Sequence, residues 1–209
     1  MSNPGDPDRT YYLSETLRMI GVTYAYRDAD ALYGRTQSVP DLSELQKYKV
    51  IIWNTGSKRY PDGYFILPTP LTLVDQQLLA AYLDGGGRLL AIGQNLAEAS
   101  DVNPNPDPTW GRSSLYHDYL GVHWLQGNLY ESARGMPPSN RPGASGLPNT
   151  FLAGITLDLG STGDGAHNQT SVDEIAPGGV PDGHDRDLVR PILKGLEGRP
   201  RGEGYIGVA

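Results

Sequence analysis

The sequence predicts an α/β fold with a mostly parallel sheet covered by helices, and two observations carry the prediction. The first half alternates short helical and strand-like segments, as chains do when helices cover a parallel sheet. Within it, Lys49 to Asn54 is an unbroken apolar run between polar flanks, as expected of a central strand buried on both faces.

Taken in order, Tyr12 to Ile20 is predicted as a helix. Leu13, Leu17 and Ile20 fall on one face, and Gly21 is placed to end it in a left-handed C-cap. Val22 to Tyr26 should follow as a strand, and Lys49 to Asn54 as the next. Thr72 and Asp75 form a capping-box start, with Leu71, Val74, Leu78 and Tyr82 marking one helical face and Gly85, Gly86 and Gly87 ending it. Arg88 to Gly93 is predicted as another strand, turning at Gln94 and Asn95 into a short helix over Leu96 to Ala99. Ser113 is a cap for a helix running through Leu120, Gly121 closes it, and Val122 to Leu125 returns as a strand.

From Gly127 onward the texture changes. Gly, Pro, Asn and Asp dominate, and the expectation is irregular β structure with strands over Phe151 to Leu159 and Tyr205 to Ala209 and a helix around Asp187 to Lys194. No internal repeat or linker divides the chain, so residues 1–209 are read as one domain.

Composition narrows the functions. The 209 residues suffice to bury about 70% of the unfolded surface. Gly (27) and Pro (17) are over-represented, which points to long ordered loops. A net charge of -7 without a basic run removes the term that dominates affinity for phosphate backbones and anionic membranes, so neither nucleic acid nor membrane is an expected partner. The absence of cysteine excludes disulfides, thiolate metal sites and cysteine nucleophiles. No stretch has the length and apolarity of a membrane span, and Met1 to Thr10 is polar rather than signal-like.

Four segments together resemble a known family: Tyr48 to Gly56, Leu71 to Asn95, Leu115 to Leu125 and Asn168 to Asp173. They look like the class I glutamine amidotransferase-like domains appended to secreted bacterial subtilisin-type peptidases, over roughly residues 10 to 180. The resemblance implies a flavodoxin-like three-layer sandwich with an irregular Gly/Pro-rich C-terminal part, in a protein that is secreted or displayed at the cell surface. Such domains begin with a hydrophobic strand that has no counterpart in Met1 to Asp8, and they continue past a strand like Gly204 to Ala209. The expectation is therefore a segment of a larger protein. An unfilled first-strand slot leaves sheet edges that a homodimer could cover, unless another segment of the chain fills it.

In catalytic members of that family a cysteine occupies the strand-to-helix turn. Gln94 stands at the matching place, and an amide cannot form an acyl intermediate. The turn at Gln94 and Asn95 could still offer backbone N–H groups to an anion. Among the four histidines, His117, His123 and His184 are candidate catalytic groups. Asp182, His184 and Asp185, on one Gly-containing loop, are candidate ligands for a divalent cation, with Asp158 and Asp164 as further oxygen donors. No cofactor is predicted beyond that ion. Trp110, Tyr60 and Tyr64 sit in loop sequence where flat aromatic faces could stack on a sugar, and Gly-x-Ser-x-Gly is absent.

These residues support an accessory or interaction domain without catalysis, meeting a protein or polysaccharide surface. A metal-dependent hydrolase of esters, phosphoesters or peptides and a carbohydrate-binding module are the alternatives.

Overall fold

The computed structural model describes residues 9–27, 39–55, 71–93, 96–97, 115–127, 129, 143–158, 172–177, 190–196, 202 and 204–208. Helix α1 (Arg9–Met19) ends as its sequence requires. Gly21 takes φ +73°, and Val22 N–H donates to the Leu17 carbonyl at 2.9 Å, closing the terminal turn. The segment after it, residues 22 to 27, is exposed and belongs to no described sheet. The strand expected at Val22 to Tyr26 therefore has no partner strand among the described residues.

A short helix α2 (Leu42–Leu45), with no counterpart in the sequence expectations, leads into β1 (Val50–Asn54). Helix α3 (Leu73–Asp84) follows. Its capping box is complete: Thr72 N–H donates to Asp75 Oδ2 at 2.9 Å, and Asp75 N–H donates to Thr72 Oγ1 at 3.1 Å. Asp75 is fully buried, and its other oxygen accepts from Val39 N–H at 2.8 Å. One carboxylate thus caps α3 and ties it to a residue 36 positions earlier.

Strand β2 (Arg88–Ile92) pairs with β1 in parallel, in the register Val50 to Arg88 through Asn54 to Ile92. Because side chains alternate along a strand, Ile51, Trp53 and Leu89 face one way. They pack against Val39, Leu45, Leu71, Leu79, Tyr82 and Leu115. Tyr82 is buried, and its hydroxyl donates to the Tyr48 carbonyl at 3.1 Å. The opposite face carries Val50, Leu90 and Ile92, which are 50%, 49% and 40% exposed. Lys49 to Asn54 is therefore not a central strand buried on both faces; one side of this two-stranded sheet is open.

Beyond α3 and β2 the architecture departs from the expected sandwich. The helix predicted up to Leu120 is a single π turn, Leu115–Tyr119, followed by β3 (Val122–Gln126). Strands β4 (Gly143–Gly146), β5 (Thr156–Asp158), β6 (Glu174–Pro177), β7 (Pro191–Gly195) and β8 (Tyr205–Val208) join it. They form a six-stranded sheet in the order β3-β6-β8-β7-β4-β5, antiparallel at every described pairing. The expected helix at Asp187 to Lys194 is β7 over its described part, and the strand expected from Phe151 begins only at Thr156, after a turn. Among the described residues the only parallel pair is β1 with β2.

The mostly parallel, flavodoxin-like three-layer sandwich is thus corrected to an α/β arrangement with a small parallel sheet and a larger antiparallel one. The reason lies in the connections. A parallel crossover needs a dozen or more residues and usually a helix, whereas residues 147 to 155 and 196 to 204 are short links between neighbouring strands. Such links return the chain antiparallel. A buried cluster of Ala97, Tyr116, Val122 and Ile175, with Leu120, Trp124 and Tyr205 against it, lines the antiparallel sheet.

Candidate functional site

The π turn and β3 bring together two residues that the sequence left apart. Leu120 N–H donates to the Leu115 carbonyl five residues back at 3.1 Å, the widened bond of a π turn, a geometry found frequently at functional sites. Gly121 then adopts φ +61°, a left-handed conformation that a Cβ would strain, and the chain turns directly into β3. The result sets His117 against His123, with ring centres 4.9 Å apart and planes tilted by 59°. His117 is buried at 6% exposure, and the edge of its ring contact with Tyr116 is nearly perpendicular, 85° at 6.1 Å.

The same turn is tied to α3. Tyr119 O–H lies 3.0 Å from each carboxylate oxygen of Asp84 and donates to that group. Hydrogen bonding to the Asp84 carboxylate, reinforced by burial and by the nearby charges of Asp84 and Asp118, holds the Tyr119 phenol above its ordinary value. The turn carrying His117 is therefore anchored at the C-terminal end of a capped helix.

At the other end of β3, Glu174 on β6 is fully buried. Its Oε1 accepts from Gly202 N–H at 2.8 Å and Gly204 N–H at 2.9 Å, and its Oε2 accepts from Gln126 Nε2 at 2.6 Å. This side chain joins β3, β6 and the approach to β8 through the hydrogen bonds that a buried polar group requires. Nothing in the sequence marks it, since Glu174 sits in an ordinary Val-Asp-Glu-Ile stretch and its donors arrive from 28 and 30 residues away.

Of the sequence candidates, His117 and His123 meet. Asp158 lies exposed on β5. Gln94, Asn95, Trp110, Asp182, His184 and Asp185 lie outside the described residues, as do Tyr60, Tyr64 and Asp164. The strand end that leads to Gln94 is described: Thr55 N–H donates to the Ile92 carbonyl at 2.9 Å, and a Cβ on Gly93 would overlap Thr55 Oγ1. Among the described residues no group of three or more His, Asp or Glu side chains converges as a metal site. No described helix is long and apolar enough to cross a membrane.

No family model matches the chain, and no curated protein matches it. Among solved structures it is similar to a cytoplasmic protein from Salmonella typhimurium, at 17% identity over 94% of this chain and 72% of that one, with a TM-score of 0.49. At that level the likeness carries nothing about the site.

Proposed function

We propose that this chain is a non-catalytic interaction domain that uses the open face of the β1–β2 sheet to meet another protein surface. The observation behind it is that Val50, Leu90 and Ile92 share that face, each between 40% and 50% exposed, with Leu90 paired to Ile52 across the two strands. Single exposed apolar residues are ordinary, but neighbours on a sheet face form a continuous patch, and such patches mark contact surfaces. Self-association, with a homodimer covering an open edge, belongs to the same proposal. So does the origin implied by the family resemblance, an accessory domain of an exported bacterial protein that lacks the amidotransferase cysteine. The hydrolase alternative rests on Asp182, His184 and Asp185 with His117 or His123 as partners, and the sugar-binding alternative on Trp110, Tyr60 and Tyr64; of these His117 and His123 meet, and the rest lie outside the described residues.

The test is the double variant Leu90→Lys/Ile92→Lys, followed by melting temperature and by sedimentation across a concentration series. The expected result is an unchanged melting temperature with loss of concentration-dependent association and of dye binding to exposed apolar surface. A fall of more than about 10 °C, equivalent to several kcal/mol for a chain of this size, would mean that the face is packed within the fold, and the interaction function would fail.

A further inference from the structure

We infer that the outer edge of β1 takes residues 22–26 of a second copy of this chain as a parallel strand, an inference that rests on the reading of the open β1–β2 face as an interface. Thr55 N–H donates to the Ile92 carbonyl at 2.9 Å. In a parallel ladder alternate residues bond the same neighbour, so Ile51 and Trp53 turn their backbone groups to β2. Val50 and Ile52 turn theirs to the opposite edge, where no described strand pairs. Residues 22–26 are the matching half. All five are exposed, and among the described residues no hydrogen bond engages the backbone of residues 23–26. Val22, Tyr24 and Tyr26, at 45%, 45% and 62% exposure, alternate with Thr23 and Ala25. These are residue types that suit a strand, and no charge within them guards against edge pairing.

Within one chain the two elements stay unpaired, so each supplies to a second copy what the other lacks, and reciprocal exchange closes a two-fold dimer. Side-chain parity fixes the register. Val22, Tyr24 and Tyr26 continue the patch of Val50, Leu90 and Ile92 only when even-numbered residues of the segment pair with even-numbered residues of β1. With Tyr24 beside Ile52, the Ile52 carbonyl accepts from Ala25 N–H and Ile52 N–H donates to the Thr23 carbonyl. Charge selects the direction. Parallel addition sets Arg27 beside Thr55, whereas antiparallel addition in the same parity sets it against Lys49, a like charge directly opposite. Met19 and Ile20, 79% and 66% exposed at the end of α1, arrive with the strand and add apolar surface to the contact.

The experiment is sedimentation velocity of the full chain across a concentration series, beside Ala25→Pro, Ala25→Val and Leu90→Lys/Ile92→Lys, with amide exchange read at the lowest and highest concentrations. The wild type should dimerise, and the Ala25 and Ile52 amides should gain protection as it does. Ala25→Pro removes the N–H that the Ile52 carbonyl accepts and should weaken association about tenfold or more. Its melting temperature at the lowest concentration should match that of the wild type, because the segment is exposed. Ala25→Val keeps the N–H and should associate within about threefold of the wild type. A wild type that stays monomeric throughout the series, whether or not its Ala25 amide is protected, would overturn the strand addition. Association lost in Leu90→Lys/Ile92→Lys but unaffected by Ala25→Pro would overturn it too, and would leave the open face as the interface. Association lost in Ala25→Pro but unaffected by Leu90→Lys/Ile92→Lys would support the strand addition and remove the open face from the contact.

Discussion

Two buried carboxylates hold the two halves of this chain, and they do so in opposite ways. Asp75 is three residues from its principal partner, Thr72, and its bonds begin a helix before they tie that helix to Val39. Glu174 accepts hydrogen bonds from distant donors: Gln126, 48 residues before it, and Gly202 and Gly204 after it. The parallel half thus contains a carboxylate that helps its own helix to start, whereas the antiparallel half contains one that accepts hydrogen bonds from distant segments.

The largest expected effect comes from Glu174→Ala, which leaves two backbone N–H groups and an amide without their acceptor. A loss of about 3–4 kcal/mol in unfolding free energy is expected in denaturant titration. Glu174→Gln, which keeps an acceptor for the glycine amides, should cost clearly less. Asp75→Ala should follow at about 2 kcal/mol, the sum of a lost cap and one unsatisfied amide. If Asp75→Ala proves the costlier of the two, the contrast between the two carboxylates is broken. Hydrogen exchange sharpens it further: the Gly202 and Gly204 amides should exchange faster in Glu174→Ala, while the α3 amides change little.

A smaller effect concerns the link between the halves. The Tyr119 phenol is raised by its bond to Asp84, so the contribution of that bond to stability is fully present below the ordinary tyrosine value near about 10 and is lost as pH rises through the raised value. Tyr119→Phe should therefore be slightly less stable than the wild type at neutral pH. The difference should begin to shrink above about pH 10 and vanish once pH has passed the raised value, as followed by paired urea melts. A difference that persists unchanged at alkaline pH would place the effect elsewhere than in this bond.

Local chemistry was legible where a few neighbouring residues decide the outcome. Thr72 with Asp75 announces the start of α3, Gly21 and Gly121 announce reversals, and the apolar run at Lys49 to Asn54 announces a strand. Each depends on contacts within a turn or two. The same run was misread as buried on both faces, because an apolar strand has the same sequence whether or not a second layer covers it. His117 and His123 were both visible as candidate residues, but their meeting depends on a π turn, and no periodicity separates a π turn from the end of an α-helix.

By itself, the sequence determined the capped helix α3, the strands β1, β2 and β3, the glycine reversals and the absence of any thiol chemistry, because backbone propensity, capping and composition act within a few residues. Only the tertiary structure decided that the C-terminal strands pair antiparallel, that β7 is a strand rather than a helix, that Glu174 is a buried latch and that one face of β1–β2 stays open. Those outcomes rest on pairings between segments tens of residues apart, where the hydrogen bonds that choose a partner form only after the chain has brought the segments together.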